Sequence, residues 1–246
     1  PLKSGFPYTT RQNWTLTNWT LTKKSNFMIN IILSIPRTIL FNLIHLPFKQ
    51  AIRMPIWIAN NVRIYNIRGK IILPQKINFA MIRIGYHTIP IMDKSSSHTI
   101  LNLNKNSILE FKGTAHIGMG SKINIEEKAK LVIGNNFAIS ALSSINCYKQ
   151  ITFGNDVQFS WNCLVMDSDT HKIFDKDNQQ INIDKEIIFE DKIWIGCNCT
   201  ILKGTHLSSN TVIGSNSVLT NKSYPGNCII AGQPAEFKKE IKGWKL

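Results

Sequence analysis

Large apolar residues recur at every sixth position through the second half of the chain. Positions 189, 195, 201, 207, 213 and 219 are Phe189, Ile195, Ile201, Leu207, Ile213 and Leu219. Four places after each of the first five comes a mostly small residue: Ile193, Cys199, Thr205, Thr211 and Ser217. The same step links Ile133, Ile139, Ile145 and Ile151, then Phe153, Phe159 and Val165, and more faintly Phe111, Ile117 and Ile123. A two-residue slip separates these stretches. A period of six matches neither a helix nor an alternating strand. Each hexapeptide is expected to form one short strand and one turn, and three of them to close a triangular coil. Coils would stack at the inter-strand spacing of about 4.8 Å, because one coil alone cannot bury its core. Gly134, Asn135, Asn136, Gly154, Asn155, Gly196 and Gly214 mark the turns, some of which need positive φ. The expected fold class is an all-β solenoid, a parallel β-helix.

Between Val165 and Phe189 the pattern lapses into a polar stretch, MDSDTHKIFDKDNQQINIDKEII. It is expected to form a loop over 166–186 extruded from the solenoid, the kind of element that carries chemistry on a rigid scaffold. His171 lies in it. Imidazole changes protonation close to neutrality, so it can take a proton from a hydroxyl as a carbon–oxygen bond forms. Asp167, Asp169 and Asp175 are near enough in sequence to orient the ring, and Asp169 is the candidate paired with it. The plain alternative is a surface histidine beside acids.

The stretch from Ile193 to Phe237 contains W-I-G, I-L-K-G, V-I-G-S-N-S-V-L-T and A-G-Q-P-A. Together these resemble the C-terminal half of hexapeptide-repeat acyltransferases, closest in look to bacterial polysaccharide O-acetyltransferases. The resemblance runs from about Ile100 to Lys239 and fades towards the N-terminus. It implies a left-handed coil, a homotrimer, acetyl-CoA as co-substrate and direct acyl transfer without a metal. His171 falls where related enzymes carry their general base. The oxyanion donor would be the Cys197 amide. Cys197, Ser215, Thr220 and Asn221 would line a cofactor groove between subunits, with Lys222, Lys238 and Lys239 near its phosphates. Related enzymes often place a basic residue directly after A-G-x-P-A, whereas this chain has Glu236. Trp161 and Asn162, at a corner before the loop, are the candidate sugar-binding residues. A zinc site built from His116, His171 and His206 is disfavoured by their separation; His116 and His206 read as turn residues.

The N-terminal third is different. Phe27–Phe48 is the most apolar window, and Pro36-Arg37 interrupts it before it is long enough to cross a bilayer. Two short helices broken at Pro36 are expected, flanked by Lys23, Lys24, Lys49 and Arg53. They would either bury an apolar face on the protein or a partner subunit, or lie on anionic lipid. A tandem NWTLT repeat at 13–22 reads as extended. No small-residue cleavage site follows the window, so no signal peptide is expected. The expected division is a basic, apolar extension over 1–60, the β-helix over 61–239 and a tail over 240–246.

Charge sharpens this. Of 29 basic residues, twelve lie in residues 1–92, which hold no acid; the remainder has 17 basic against 15 acidic residues. Such a field attracts an anionic membrane or a phosphate-bearing substrate, and nucleic acid is disfavoured because no aromatic residues interleave with the basic ones. Five cysteines without a CxxC pair argue against disulfides or structural zinc. The expected activity is acetyl transfer to a sugar hydroxyl of capsule, O-antigen or a lipid-linked precursor. The expected place is the bacterial cytoplasm, peripheral on the inner membrane face. The alternatives are a small-molecule or nucleotide-sugar acceptor, and a non-catalytic β-helical platform.

Overall fold

A computed structural model describes residues 31–245. Helix α1 spans 31–45 and a short helix α2 spans Phe48–Ala51. Among the described residues, twenty-three strands follow in three sheets. The first sheet is β1 (Ile56–Ile58), β4 (Ile82–Ile84), β7 (Ala115–Ile117), β10 (Phe137–Ala141), β13 (Val157–Trp161), β16 (Ile193–Ile195), β19 (Thr211–Ile213), β22 (Cys228–Gly232) and β23 (Ala235–Glu240). The second is β2 (Val62–Ile67), β5 (Thr99–Leu103), β8 (Lys122–Ile125), β11 (Ser144–Cys147), β14 (Leu164–Met166), β17 (Thr200–Leu202) and β20 (Val218–Leu219). The third is β3 (Lys70–Ile72), β6 (Ile108–Phe111), β9 (Lys130–Ile133), β12 (Gln150–Phe153), β15 (Ile187–Phe189), β18 (His206–Leu207) and β21 (Ser223–Tyr224). The chain visits the sheets in rotation and every pairing is parallel except β22 with β23, so the body is the expected three-sided β-helix. The first edge joins the first sheet to the second, the second edge joins the second to the third, and the third edge joins the third to the first.

The sixfold register is the core. Every apolar position in it, from Phe111 to Leu219, points inward and is buried, and so are Cys199, Thr205, Thr211 and Ser217. The buried hydroxyls are satisfied locally: Thr205, Thr211 and Ser217 each donate to the carbonyl three residues earlier. Each full strand presents two inward positions, as with Ile151 and Phe153 on β12. The two-residue slip is therefore a change in which of the two positions the sixfold count lands on. Mid-solenoid, Phe137, Phe153, Phe159 and Phe189 stack across successive coils with ring centroids 4.7–5.9 Å apart.

The turns divide their work in a way the sequence did not separate. Positive φ falls more often on asparagines than on any other residue type, among them Asn136, Asn162, Asn198, Asn210 and Asn216, at 55–60°. Gly134, Gly154 and Gly196 are not in that region. A Cβ on any of them would run into the next coil, on Gly154, Glu190 and Ser215 respectively. These glycines permit close stacking; the asparagines make the bend.

Two expectations for the N-terminal part are corrected. Strand β1 pairs with β4, so the solenoid begins at Ile56 and not at 61. Helix α1 runs through Pro36 without a break, and the interruption comes at Leu46–Pro47. Its side chains bind the edge of β1, and that tertiary anchoring outweighs the missing proline N–H. Thr38 Oγ1 accepts from the Ile58 amide at 3.1 Å, and Asn42 both donates to the Ile56 carbonyl at 2.7 Å and accepts from its amide at 3.2 Å. The edge strand is thereby covered. The NWTLT repeat, Lys23 and Lys24 lie outside the described residues.

Candidate functional site

The loop leaves the second edge after β14 and returns at β15. Its root is Asp167, buried, whose carboxylate accepts from the amides of Tyr148, Lys149 and Gln150 at 2.6, 2.9 and 2.8 Å. Burial pushes this carboxyl up and the three amides pull it back. Beyond the root the loop folds on itself. Ile181 donates to the Ile173 carbonyl at 2.9 Å, and Asp175 takes the amides of Asp177 and Gln179, both at 2.9 Å, to close the tip. The result is a hairpin arm. It exposes Ile173, Phe174, Ile181 and Ile183.

His171 stands exposed on this arm, and its Nδ1 meets Thr170 Oγ1 at 3.0 Å. None of the three nearby acids is on the ring. Asp167 holds the root and Asp175 the tip. Asp169, the expected partner, instead takes Lys203 Nζ at 2.6 Å and Asn182 Nδ2 at 2.9 Å, and these bonds hold its carboxyl below the usual range. The ammonium is the stronger partner, so Asp169 anchors the arm to the turn after β17. Asn182 also donates to the His171 carbonyl at 2.7 Å and accepts from the Ile173 amide at 2.7 Å. Lys203 and Asn182 position the histidine segment, and neither is among the residues that the sequence pattern singles out. Lys203 had a signal, since it is the lysine of I-L-K-G; Asn182 had none.

The remaining candidates fall at three places. Trp161, Asn162, Cys197 and Ser215 lie along the first edge. There the Cys197 carbonyl accepts from Asn216 at 2.9 Å, and its thiol donates to Ser215 Oγ at 3.4 Å. The Cys197 amide has no hydrogen-bond partner among the described residues, so a donor is available at that corner. Thr220, Asn221 and Lys222 lie at the second edge, after β20. Asn221 Oδ1 accepts from Lys185 Nζ at 2.9 Å, and Lys222 Nζ sits 4.9 Å from the Tyr224 ring centroid. Lys239 is on β23, the antiparallel edge strand of the first sheet. Within one chain these groups do not converge: the five steps from Asn162 to Asp167 across the second sheet span about 16 Å.

Each of these edges carries an open cleft. One at the first edge, about 340–350 Å³ like its counterpart, is lined by Arg63, His98, Lys122, Leu142 and Asn162 among others. The one at the second edge, beside the arm, is lined by Lys149, Lys185, His206 and Asn221 among others. His116 and His206 are on strands, not turns. His206 Nε2 is 2.9 Å from Glu190. Among the described residues, no group of three or more His, Cys, Asp or Glu side chains is placed to hold a metal ion. Cys147, Cys163, Cys199 and Cys228 are buried as small core residues.

No family model matches the chain. It is similar to the polysialic acid O-acetyltransferase of Escherichia coli O1:K1, 33% identical over 118 residues, which are 47% of this chain and 38% of that protein. It is also similar to the putative lipopolysaccharide biosynthesis O-acetyl transferase WbbJ of Escherichia coli K12, 25% identical over 141 residues, 52% of this chain and 71% of that one. The chain thus spans about two fifths of the length of the first of these relatives. The crystal structure of the polySia specific acetyltransferase NeuO matches 76% of this chain and 90% of its own, with a TM-score of 0.54 and 22% identity, which shows a shared fold. The resemblance to hexapeptide-repeat acyltransferases thus has counterparts in sequence and in architecture.

Proposed function

We propose that this chain is an O-acetyltransferase that moves an acetyl group from acetyl-CoA to a sugar hydroxyl of a surface polysaccharide or its lipid-linked precursor, working as a homotrimer. One observation carries the reading: two half-sites flank the second sheet. The arm with His171 stands on one side and the unpartnered Cys197 amide on the other. The outer face of this sheet is mostly apolar in its C-terminal half, through Leu164, Met166, Leu202 and Val218 around Thr200. Burying that face about a threefold axis sets the first edge of one copy against the second edge of the next. His171 of one copy then meets Cys197 and Ser215 of another, and the exposed apolar residues of the arm gain a surface to cover.

In that arrangement His171 takes the acceptor hydroxyl proton as the new C–O bond forms. The Cys197 amide receives the developing oxyanion. The C–S bond then breaks and the imidazolium returns its proton to the departing thiolate. Thr220, Asn221, Lys222 and Lys185 are near enough to the second edge to hold the cofactor's phosphates. The first-edge cleft, with Asn162, Arg63 and Lys122, suits an acceptor that carries negative charge, and Trp161 suits a sugar face. The place that fits is the bacterial cytoplasm, against the inner face of the membrane.

The test is transfer from radiolabelled acetyl-CoA. The expected product is base-labile ester label on capsular or O-antigen polysaccharide, or on its lipid-linked precursor. Label confined to amino acids or amines, or none at all, would reject the assignment.

A further inference from the structure

Helix α1 is amphipathic in the reverse sense. The side that docks on the solenoid is built on Ser34, Thr38 and Asn42 with the aromatic Phe41, all buried, because the edge of β1 needs hydrogen-bond partners as well as apolar cover. The opposite side is aliphatic and open to solvent: Ile32, Leu33, Leu40, Leu43 and Ile44 are 48–62% exposed. Phe48, at 71%, continues the stripe onto α2. Thus the cap buries Phe41 and Leu46 and leaves most of the other described apolar residues of the sequence window uncovered.

Charge indicates what covers it. Residues 31–92 carry eight basic side chains and no acidic one, with Lys49 and Arg53 exposed beside the stripe. A second copy would bring the same sign against this end and be repelled. An anionic lipid surface offers both an apolar layer and the opposite charge. The stripe from residue 32 to 44 is about 18 Å long, too short to cross a hydrocarbon core of about 30 Å. No helix among the described residues is long and apolar enough to cross a membrane.

We propose that α1 lies in the plane of an anionic membrane, its outer stripe among the acyl chains and Lys49 and Arg53 at the headgroups, so that the solenoid stands on its first coil. This deepens the peripheral placement above by naming the surface responsible, and it does not depend on the acetyl-transfer chemistry. The test is sedimentation of the full-length protein with phosphatidylcholine vesicles, with and without phosphatidylglycerol. Wild type is expected to pellet with the anionic vesicles, less so in high salt. The double variant Leu40→Ser/Ile44→Ser is expected to bind about tenfold more weakly or worse, with its thermal midpoint unchanged. Lys49→Gln/Arg53→Gln is expected to lose only the phosphatidylglycerol-dependent part. Wild type left in the supernatant, or a serine variant that pellets equally well, would overturn the proposal. So would an assembly that the serine variant dissolves in the absence of any vesicle binding, since that marks a protein contact. Transfer to soluble polysaccharide is read separately and stays at the wild-type level in the serine variant, so the two failures are distinguishable.

Discussion

Replacing His171 with alanine is expected to lower kcat for acetyl transfer by about 10²–10⁴-fold, the usual contribution of a positioned general base. The thermal midpoint should not move. The side chain is exposed, and its one hydrogen bond is to the neighbouring Thr170. The arm is held without the imidazole, by Asp167 on three amides, by Lys203 and by Asn182. Steady-state kinetics beside a melting curve separate the two effects. A variant that keeps near-wild-type kcat would remove His171 from the chemistry. A variant that melts early would mean the ring supports the arm.

The second large effect is on the fold. Phe153→Ala should destabilise the protein by about 3–5 kcal/mol in chemical denaturation. Phe153 is 1% exposed and sits between Phe137 at 5.0 Å and Phe189 at 4.7 Å, with Phe159 edge-on at 5.6 Å. Phe137 shares its coil, Phe159 and Phe189 lie on the next, and coils are stabilised chiefly by their neighbours, so a cavity here weakens both the coil and its interface with the next. A change below about 1 kcal/mol would mean that the stack is looser than these distances imply.

The core was readable because its signal is one-dimensional. An inward position recurs at a fixed step, and burial tolerates only aliphatic, aromatic or small side chains there. The register alone places Leu207 and Ile213 inside. Features that depend on contacts between coils are not legible in this way. Nothing local says that Gly134 is needed because its neighbour's backbone is too close, while Asn136 supplies the bend. Asp169 is two residues from His171 in sequence, yet it turns to Lys203, 34 residues on. Periodicity cannot see such a partner. Pro36 read as a break because propensity is local, whereas α1 is held from outside by Ile56 and Ile58. The same helix shows the limit of hydrophobic patterning. An aliphatic stripe usually marks the face that packs on the protein, but an open strand edge asks for polar partners and turns the stripe outward.

For the site, His171 stood out by its type, its polar loop and its position relative to the repeats. The two edges did not, because a hexapeptide register says which residues face inward and leaves unsaid which corner faces which copy. The resemblance groups Cys197 and Thr220 in one groove, and within one chain they lie on different edges.

The most direct measurement is a crystal structure of the full chain with a non-hydrolysable acetyl-CoA analogue. The acetyl oxygen is expected about 3 Å from the Cys197 amide of one copy, with His171 of a second copy within reach of the carbonyl carbon's open face. An analogue bound inside a single chain, or held where no copy's His171 can approach it, would contradict the account.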